Sequence, residues 1–348
     1  MKKIGICGHY GLNDTCIDGQ TIKTKIITQT LINEFGKDEI SIVDTQGGIK
    51  RFFAHIFNMC NIVKKCENII ILPAHNGIRV FAPLLCFLNY FYHRKNHYIV
   101  IGGWLPYFLS KRMFLSKCLK KFNFIYVETS TMKKQLEMEG FDNITVLPNC
   151  KNLKILNKKD LIFNTNKPFR ICTFSRVTKQ KGINDAIKAI RYVNETLNEL
   201  IFTLDIYGPI SKEYEDYFKT IQKSFPDYIH YKGCVDYDKT VDVLKNYYAL
   251  LFPTKYFTEG VPGTIIDAYS AGVPVIASKW ASFNDVVDEG IVGLGYTFSD
   301  YDSLVNTLIY ISKNPNLLVN MKNNCLKKAY EFNSDTVIHK IIKEKFFI

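Results

Sequence analysis

The sequence predicts an α/β protein made of two Rossmann-like parallel-sheet domains facing each other across a cleft. Three observations carry this reading. Short β-type runs alternate with longer helical patterns along all 348 residues, as expected of parallel sheets covered by helices. The alternation runs twice, with a polar stretch between the two series. The length also exceeds that at which a single core usually keeps growing.

The first series places strands at Lys2–Cys7, Ile40–Val43, Asn68–Leu72, Tyr98–Ile101, Phe124–Val127 and Thr145–Leu147. Helical stretches such as Thr21–Phe35, Arg79–Tyr92 and Thr131–Glu139 separate them. The second series has strands at Arg170–Ser175, Phe202–Tyr207, Ile229–Tyr231, Ala249–Phe252, Pro274–Ala277 and Gly293–Tyr296. Its helices are expected at Ile183–Asn198, Tyr214–Ser224, Thr240–Tyr247 and Thr264–Ala271. The chain therefore divides into a first domain over residues 1–150, a polar linker over 151–168 that begins Lys151-Asn152, and a second domain over 169–330. A helical segment over 331–348 is free to pack back on the first domain. In open α/β sheets ligands bind beyond the carboxyl ends of the strands, so functional motifs belong in loops that follow strands.

A hydrophobic share of 47% with 22% charged residues describes a folded protein and excludes disorder or a fibrous repeat. Lys and Arg total 45 against 33 acids, a net charge of +12, of which residues 1–150 carry +8 and the remainder +4. Such a field attracts anions, whether nucleotide phosphates, nucleic acid or acidic lipid, without choosing among them. The ten cysteines form no C-x-x-C pair and no cluster with histidine, which points to free thiols in a reducing compartment. Met1-Lys2-Lys3 leads straight into an apolar strand, unlike a secretion signal. The longest uncharged apolar stretch, Val80–Tyr92, is well short of the roughly 20 residues a membrane span needs. A cytoplasmic protein is expected. Phe108–Phe122, which mixes Leu109, Met113, Leu115 and Leu119 with five cations, suits a helix lying on an anionic membrane, or equally a solvated face over an ordinary core.

The most informative stretch runs Thr258-Glu259-Gly260-Val261-Pro262-Gly263-Thr264-Ile265-Ile266-Asp267-Ala268, then Ala271-Gly272-Val273-Pro274. It follows a predicted strand, breaks at Gly and Pro, and opens a helix near Gly263. A helix start presents unpaired N–H groups and a positive dipole end, which suits a diphosphate. Glu259 just before it and Asp267 one turn inside it supply carboxylates for sugar hydroxyls. Arg176, in Phe174-Ser175-Arg176-Val177, and Lys181, in Lys181-Gly182-Ile183, follow the first strand of the second series. Two cations there can neutralise charge growing on a departing diphosphate without a metal. Gly19 and Gln20 belong to a glycine-bearing loop after the first strand, whose helix start can approach a phosphate or form a plain surface turn. His75 and Trp104 each follow a strand. His75 is a ligand contact or a structural histidine, and Trp104 stacks on a sugar or fills the core. Asp236-Tyr237-Asp238 reads as a helix cap in preference to a metal site.

An acid, Gly-x-Pro, a second acid and then Gly-x-Pro-Val resemble the E-x7-E signature of retaining GT-B glycosyltransferases, glycosyltransferase family 4 of the bacterial surface-polysaccharide type. This sequence has Asp267 where that pattern has Glu, one methylene shorter. The resemblance implies that Glu259 holds hydroxyls of the transferred sugar and Asp267 the ribose. Gly260, Val261, Pro262, Gly263 and Thr264 then surround the donor, and Arg176 and Lys181 stabilise the leaving diphosphate. It also implies that His75 lies near the sugar and that Gly102-Gly103-Trp104 forms an acceptor-side loop. Val127-Glu128-Thr129-Ser130 and Leu147-Pro148-Asn149 extend the likeness over nearly the whole chain. The implied activity is retaining transfer from a nucleotide sugar to a hydroxyl of a lipid-linked or polysaccharide acceptor. The nucleotide sugar is then a substrate, with no cofactor, no metal and no nucleic-acid partner, and an anionic membrane surface is a candidate partner. A nucleotide-sugar epimerase of the same fold and a non-enzymatic basic protein that binds membranes or nucleic acid are the alternatives.

Overall fold

The computed structural model describes residues 2–11, 19–45 and 52–345. Cys16, Asp18 and residues 346–348 of the C-terminal segment lie outside the described residues. The chain forms two compact units, Met1–Asn152 with Asn333–Ile348, and Leu153–Phe332.

The first unit has strands β1 (Lys2–Gly8), β2 (Ile40–Asp44), β3 (Cys66–Ile71), β4 (Lys95–Ile99), β5 (Phe124–Val127) and β6 (Ile144–Val146). They form one parallel sheet in the order β2-β1-β3-β4-β5-β6. Isoleucines run along its centre (Ile4, Ile6, Ile69, Ile70, Ile71) and are fully buried, as a parallel sheet covered on both faces demands. The chain steps from β1 to β2 in one direction and from β2 onward in the other. Right-handed crossovers therefore put helices Phe52–Lys65, His75–Tyr92, Met113–Leu119 and Ser130–Met138 on one face and helix Gly19–Phe35 on the other. The cores agree: Met59, Phe81, Leu119 and Leu136 share one cluster, and Ile26, Leu31, Val337 and Ile338 share another. The C-terminal helix Ser334–Lys345 packs against helix Gly19–Phe35 within this unit. There His339 Nδ1 stands 3.3 Å from a Glu34 carboxylate oxygen, and the Ser334 amide donates to the Lys151 carbonyl at 2.9 Å.

The second unit has strands β7 (Phe169–Phe174), β8 (Phe202–Tyr207), β9 (Ile229–Gly233), β10 (Ala249–Phe252), β11 (Val275–Ser278) and β12 (Gly293–Tyr296). They form a parallel sheet in the order β12-β11-β10-β7-β8-β9. Helix Ile183–Thr196 buries Ile183, Ala186, Ile187, Ile190 and Val193 at helical spacing. Buried Asn194 fastens this helix to β8, donating to the Phe202 carbonyl at 2.9 Å and accepting from the Ile201 and Phe202 amides at 3.0 Å. The fold is thus α/β with two six-stranded parallel sheets, and no helix of the described residues is long and apolar enough to cross a membrane. The nine cysteines among the described residues are free thiols.

Several sequence expectations are corrected. Residues 153–168 are not a separate linker. Leu153, Ile155 and Leu156 pack on the second core, and the Leu156 amide donates to the Ser270 carbonyl at 2.8 Å. Strand β4 begins at Lys95 instead of Tyr98, because polar Asn96 and His97 are buried within it. His97 meets the Tyr126 hydroxyl at 3.0 Å and Asn68 Oδ1 at 3.2 Å, and its burial, with Lys95 nearby, lowers its pKa to about 3. Phe108–Phe122 is not one amphipathic helix. It breaks at Ser110–Arg112 into Leu105–Leu109 and Met113–Leu119, and Arg112 turns back to donate to the Phe108 carbonyl at 2.6 Å. Asp236 occupies an N-cap position, but its side chain makes no cap bond and pairs instead with Lys239 at 3.1 Å.

Candidate active site

In the second unit the chain runs from β7 through β8 to β9 at one edge, then returns to β10 on the other side of β7. The direction of winding reverses between β7 and β10, and loops leaving the carboxyl ends of such strands part to leave a crevice. These loops are residues 175–182 and 253–262, which carry Arg176 and Lys181 on one and Glu259 on the other. The side chains meet. Lys181 Nζ forms an ion pair with Glu259 Oε1, with the two side chains only 25% and 12% exposed. Buried Thr254 donates to the same carboxylate oxygen at 2.9 Å and is itself held from two sides. The Tyr256 amide donates to its hydroxyl at 3.1 Å, and Ser278 donates to its carbonyl at 2.6 Å. Thr254 and Ser278 gave no signal in the sequence, since neither lies in a motif and their part depends on the loop's path.

The two loops are also locked by backbone. The Lys255 amide donates to the Gln180 carbonyl at 2.8 Å, and Lys255 Nζ pairs with Asp185 at 2.7 Å. Gly182 takes φ +68°, and a Cβ there would stand 1.8 Å from the Pro253 carbonyl oxygen. Glycine is required both by the backbone angle and by the approach of the second loop. Gly182→Ala is expected to destabilise the second unit by about 3 kcal/mol. Urea unfolding read from Trp280 fluorescence in a Trp104→Phe background checks this, and an unchanged midpoint would refute it.

Val261 and Pro262 are buried, and Pro262 stands at the N-cap of helix Gly263–Ser270. The first ladder bonds run from the Ile265 and Ile266 amides to the Pro262 carbonyl, which leaves the Gly263 and Thr264 amides at the open end. The Thr264 hydroxyl is buried and has no hydrogen-bond partner among the described residues. Asp267 lies four residues after Gly263, hence above it on the same helix face. Arg176 is exposed. This corner of the second unit thus brings together a paired Lys and Glu, a further Arg on the same loop as the Lys, a helix start and an acid one turn inside.

In the first unit the winding reverses between β1 and β3. Gly19 and Gln20 open helix Gly19–Phe35, and Gln20 Nε2 donates to the Leu72 carbonyl after β3 at 3.2 Å. His75 follows β3 and is the first residue of helix His75–Tyr92. Its ring stacks on Trp104 at 3.8 Å between centroids and meets the edge of Phe108 at 5.1 Å. Burial first, then the charges of Arg79 and Arg112, lowers its pKa from the ordinary histidine value. Trp104 is buried, gives its indole N–H to the Ile101 carbonyl at 2.8 Å and has one ring face under His75. It packs as part of the first core, which favours the filling reading over a free stacking face. Lys23, one turn into helix Gly19–Phe35, forms a buried ion pair with Glu128 at 2.8 Å.

Comparison with known proteins agrees with this layout. The model of the family described as "Glycosyl transferases group 1" matches residues 155–328, half of the chain and all within the second unit. The chain belongs to this family. A glycogen synthase of Thermosipho africanus is 28% identical over 156 residues, 44% of this chain and 31% of the relative. The UDP-N-acetylglucosamine--peptide N-acetylglucosaminyltransferase GtfA subunit of Streptococcus gordonii is 29% identical over 160 residues, 45% of this chain and 30% of the relative. The matches thus span about a third of these relatives' length. Among solved structures, Anabaena HepE in complex with UDP and glucose superposes with a TM-score of 0.75 at 14% identity, covering 100% of both chains. That likeness is one of fold, the two-sheet GT-B arrangement. The glycosyl transferases group 1 match and the crevice coincide, since the matched segment contains both the Arg176–Lys181 loop and the Glu259–Asp267 stretch.

Proposed function

We propose that this chain is a retaining, metal-independent glycosyltransferase of the family 4 type. It moves a sugar from a nucleotide sugar held on the second unit to a hydroxyl of a lipid-linked or polysaccharide precursor of the bacterial cell surface, working in the cytoplasm at the membrane's inner face. The observation that carries this reading is the contact between Lys181 and Glu259 at the winding reversal of the second sheet, one loop from the helix start that bears Asp267. A diphosphate at that start would accept from the Gly263 and Thr264 amides and would satisfy the buried Thr264 hydroxyl. Glu259 then takes sugar hydroxyls and Asp267 the ribose.

In the reaction the bond from the anomeric carbon to the diphosphate oxygen breaks, and the acceptor oxygen bonds to that carbon on the same face. The acceptor proton passes to the departing phosphate oxygen. Arg176 and Lys181 stabilise the negative charge as it grows, and such groups act by favouring the transition state over the bound donor. His75, whose charged form is disfavoured by burial and by Arg79 and Arg112, is assigned to a sugar hydroxyl.

A thermal-shift panel of UDP-, GDP-, ADP- and CMP-sugars tests the donor, because a ligand bound only to the folded state raises stability by mass action. HepE was solved with UDP and glucose, so UDP-glucose leads the panel. One nucleotide class is expected to raise the melting temperature in the wild type and less in Glu259→Gln. No shift with any of them would refute the donor site. Turnover is expected to persist in excess EDTA, and activity lost to EDTA and restored by Mg²⁺ would refute metal independence. Formation of a new nucleotide sugar without acceptor would mark an epimerase instead.

A further inference from the structure

We infer that the outer surface of the first unit's helices Phe52–Lys65, His75–Tyr92 and Met113–Leu119 docks on an anionic lipid bilayer. This rests on the reading of the chain as an enzyme of membrane-linked acceptors only for its purpose.

These three helices cover the same face of the first sheet, since Met59, Ile62, Phe81, Leu85, Leu115 and Leu119 all join one core cluster beneath them. Their inward sides are therefore spoken for. Their outward sides carry large apolar groups where solvated polar ones are expected. Phe53, Phe57, Phe87, Tyr90, Phe91, Met113 and Phe114 are each at least 59% exposed. Seven such groups on three neighbouring helices exceed the scattered apolar residues normal on a folded surface. Phe57 lies one turn after Phe53, and Phe87 and Tyr90 each pack edge to face on Phe91 with ring centroids 5.5 Å and 5.3 Å apart. The aromatic groups on the second of these helices thus form a connected ridge near its C-terminus.

Charge selects the occupant. Residues 52–122 contain ten Lys and Arg but a single acid, Glu67. Their net charge of +9 exceeds the +8 of the whole segment 1–150, so all of the first half's positive surplus originates here. Lys64, Lys65 and Lys117 are exposed on these helices, and Lys111, Lys120 and Lys121 are exposed in the residues that flank Met113–Leu119. Apolar rings that enter the headgroup boundary, flanked by cations that meet acidic lipid, are the two components of peripheral membrane binding. A second copy of this chain would bring the same positive field against itself, and nucleic acid would leave the aliphatic and aromatic groups without an apolar partner.

The test is sedimentation of the full chain with vesicles of phosphatidylcholine alone or mixed with phosphatidylglycerol. The wild type is expected on the mixed vesicles and not on the neutral ones. Lys64→Glu with Lys65→Glu should weaken binding roughly fivefold or more per site. Phe87→Ser with Phe91→Ser should reduce binding at every salt concentration, because its contribution is not screened. Equal recovery on neutral vesicles, unchanged binding of the Phe87/Phe91 variant, a concentration-dependent dimer abolished by that variant, or RNA competing vesicles away would each overturn the proposal. Donor thermal shifts run alongside on the same variants keep the two claims apart. Their loss in the wild type would sink the donor reading alone, and their retention in both variants shows that the fold is intact.

Discussion

Lys181→Ala is expected to lower turnover by about two to three orders of magnitude, the usual cost of removing one group that stabilises developing negative charge. Two effects act together in this variant. A cation is lost from the leaving group, and the Glu259 carboxylate keeps Thr254 but loses its ion-pair partner. Arg176→Ala separates them, since Arg176 is exposed and forms no ion pair with the described residues. It should lower kcat by a similar factor with the unfolding midpoint unchanged. The double variant should lose less than the product of the single losses, because both side chains serve one charge. Steady-state kinetics with saturating donor measures all three, and full activity in both single variants would remove the leaving-group role.

The largest effect on stability is expected at the Lys23–Glu128 pair of the first unit. The side chains are 1% and 3% exposed, the nitrogen and oxygen stand 2.8 Å apart, and Lys23 Nζ reaches the Val100 carbonyl at 3.5 Å. A buried charge left without its partner costs far more than the pair contributes. Lys23→Met or Glu128→Leu alone should destabilise the unit by about 3–5 kcal/mol, and the double substitution should recover most of that loss. Trp104 fluorescence in a Trp280→Phe background follows the first unit during urea unfolding. A double variant as unstable as the sum of the singles would contradict this account and place the cost in packing.

Much of the fold was legible because parallel strands covered on both faces leave near-continuous apolar runs. Isoleucine-rich β3 and the apolar β10 are such runs, and nine further strands were placed within a few residues. β4 slipped because its start, Lys95-Asn96-His97, is polar and becomes acceptable inside only once Asn68 and Tyr126 are beside it. Helix Phe52–Lys65 went unread, since Phe52-Phe53-Ala54-His55 carries neither a capping residue nor an acidic first turn. The break at Ser110–Arg112 was hidden for a similar reason, as the apolar spacing from Phe108 to Phe122 continues through it. For the candidate site the motifs located the loops, because glycine, proline and acids at fixed offsets answer to local geometry. The meeting of Lys181 with Glu259, 78 residues apart, and the support from Thr254 and Ser278 depend on sheet order, which no local spacing encodes.

The most direct test of the central claim is a crystal structure of the full chain with its nucleotide sugar. The diphosphate is expected at the Gly263 and Thr264 amides beside Arg176 and Lys181, with a hydroxyl of the transferred sugar on Glu259. Phosphate density elsewhere, with the Lys181–Glu259 pair untouched by the donor, would contradict it.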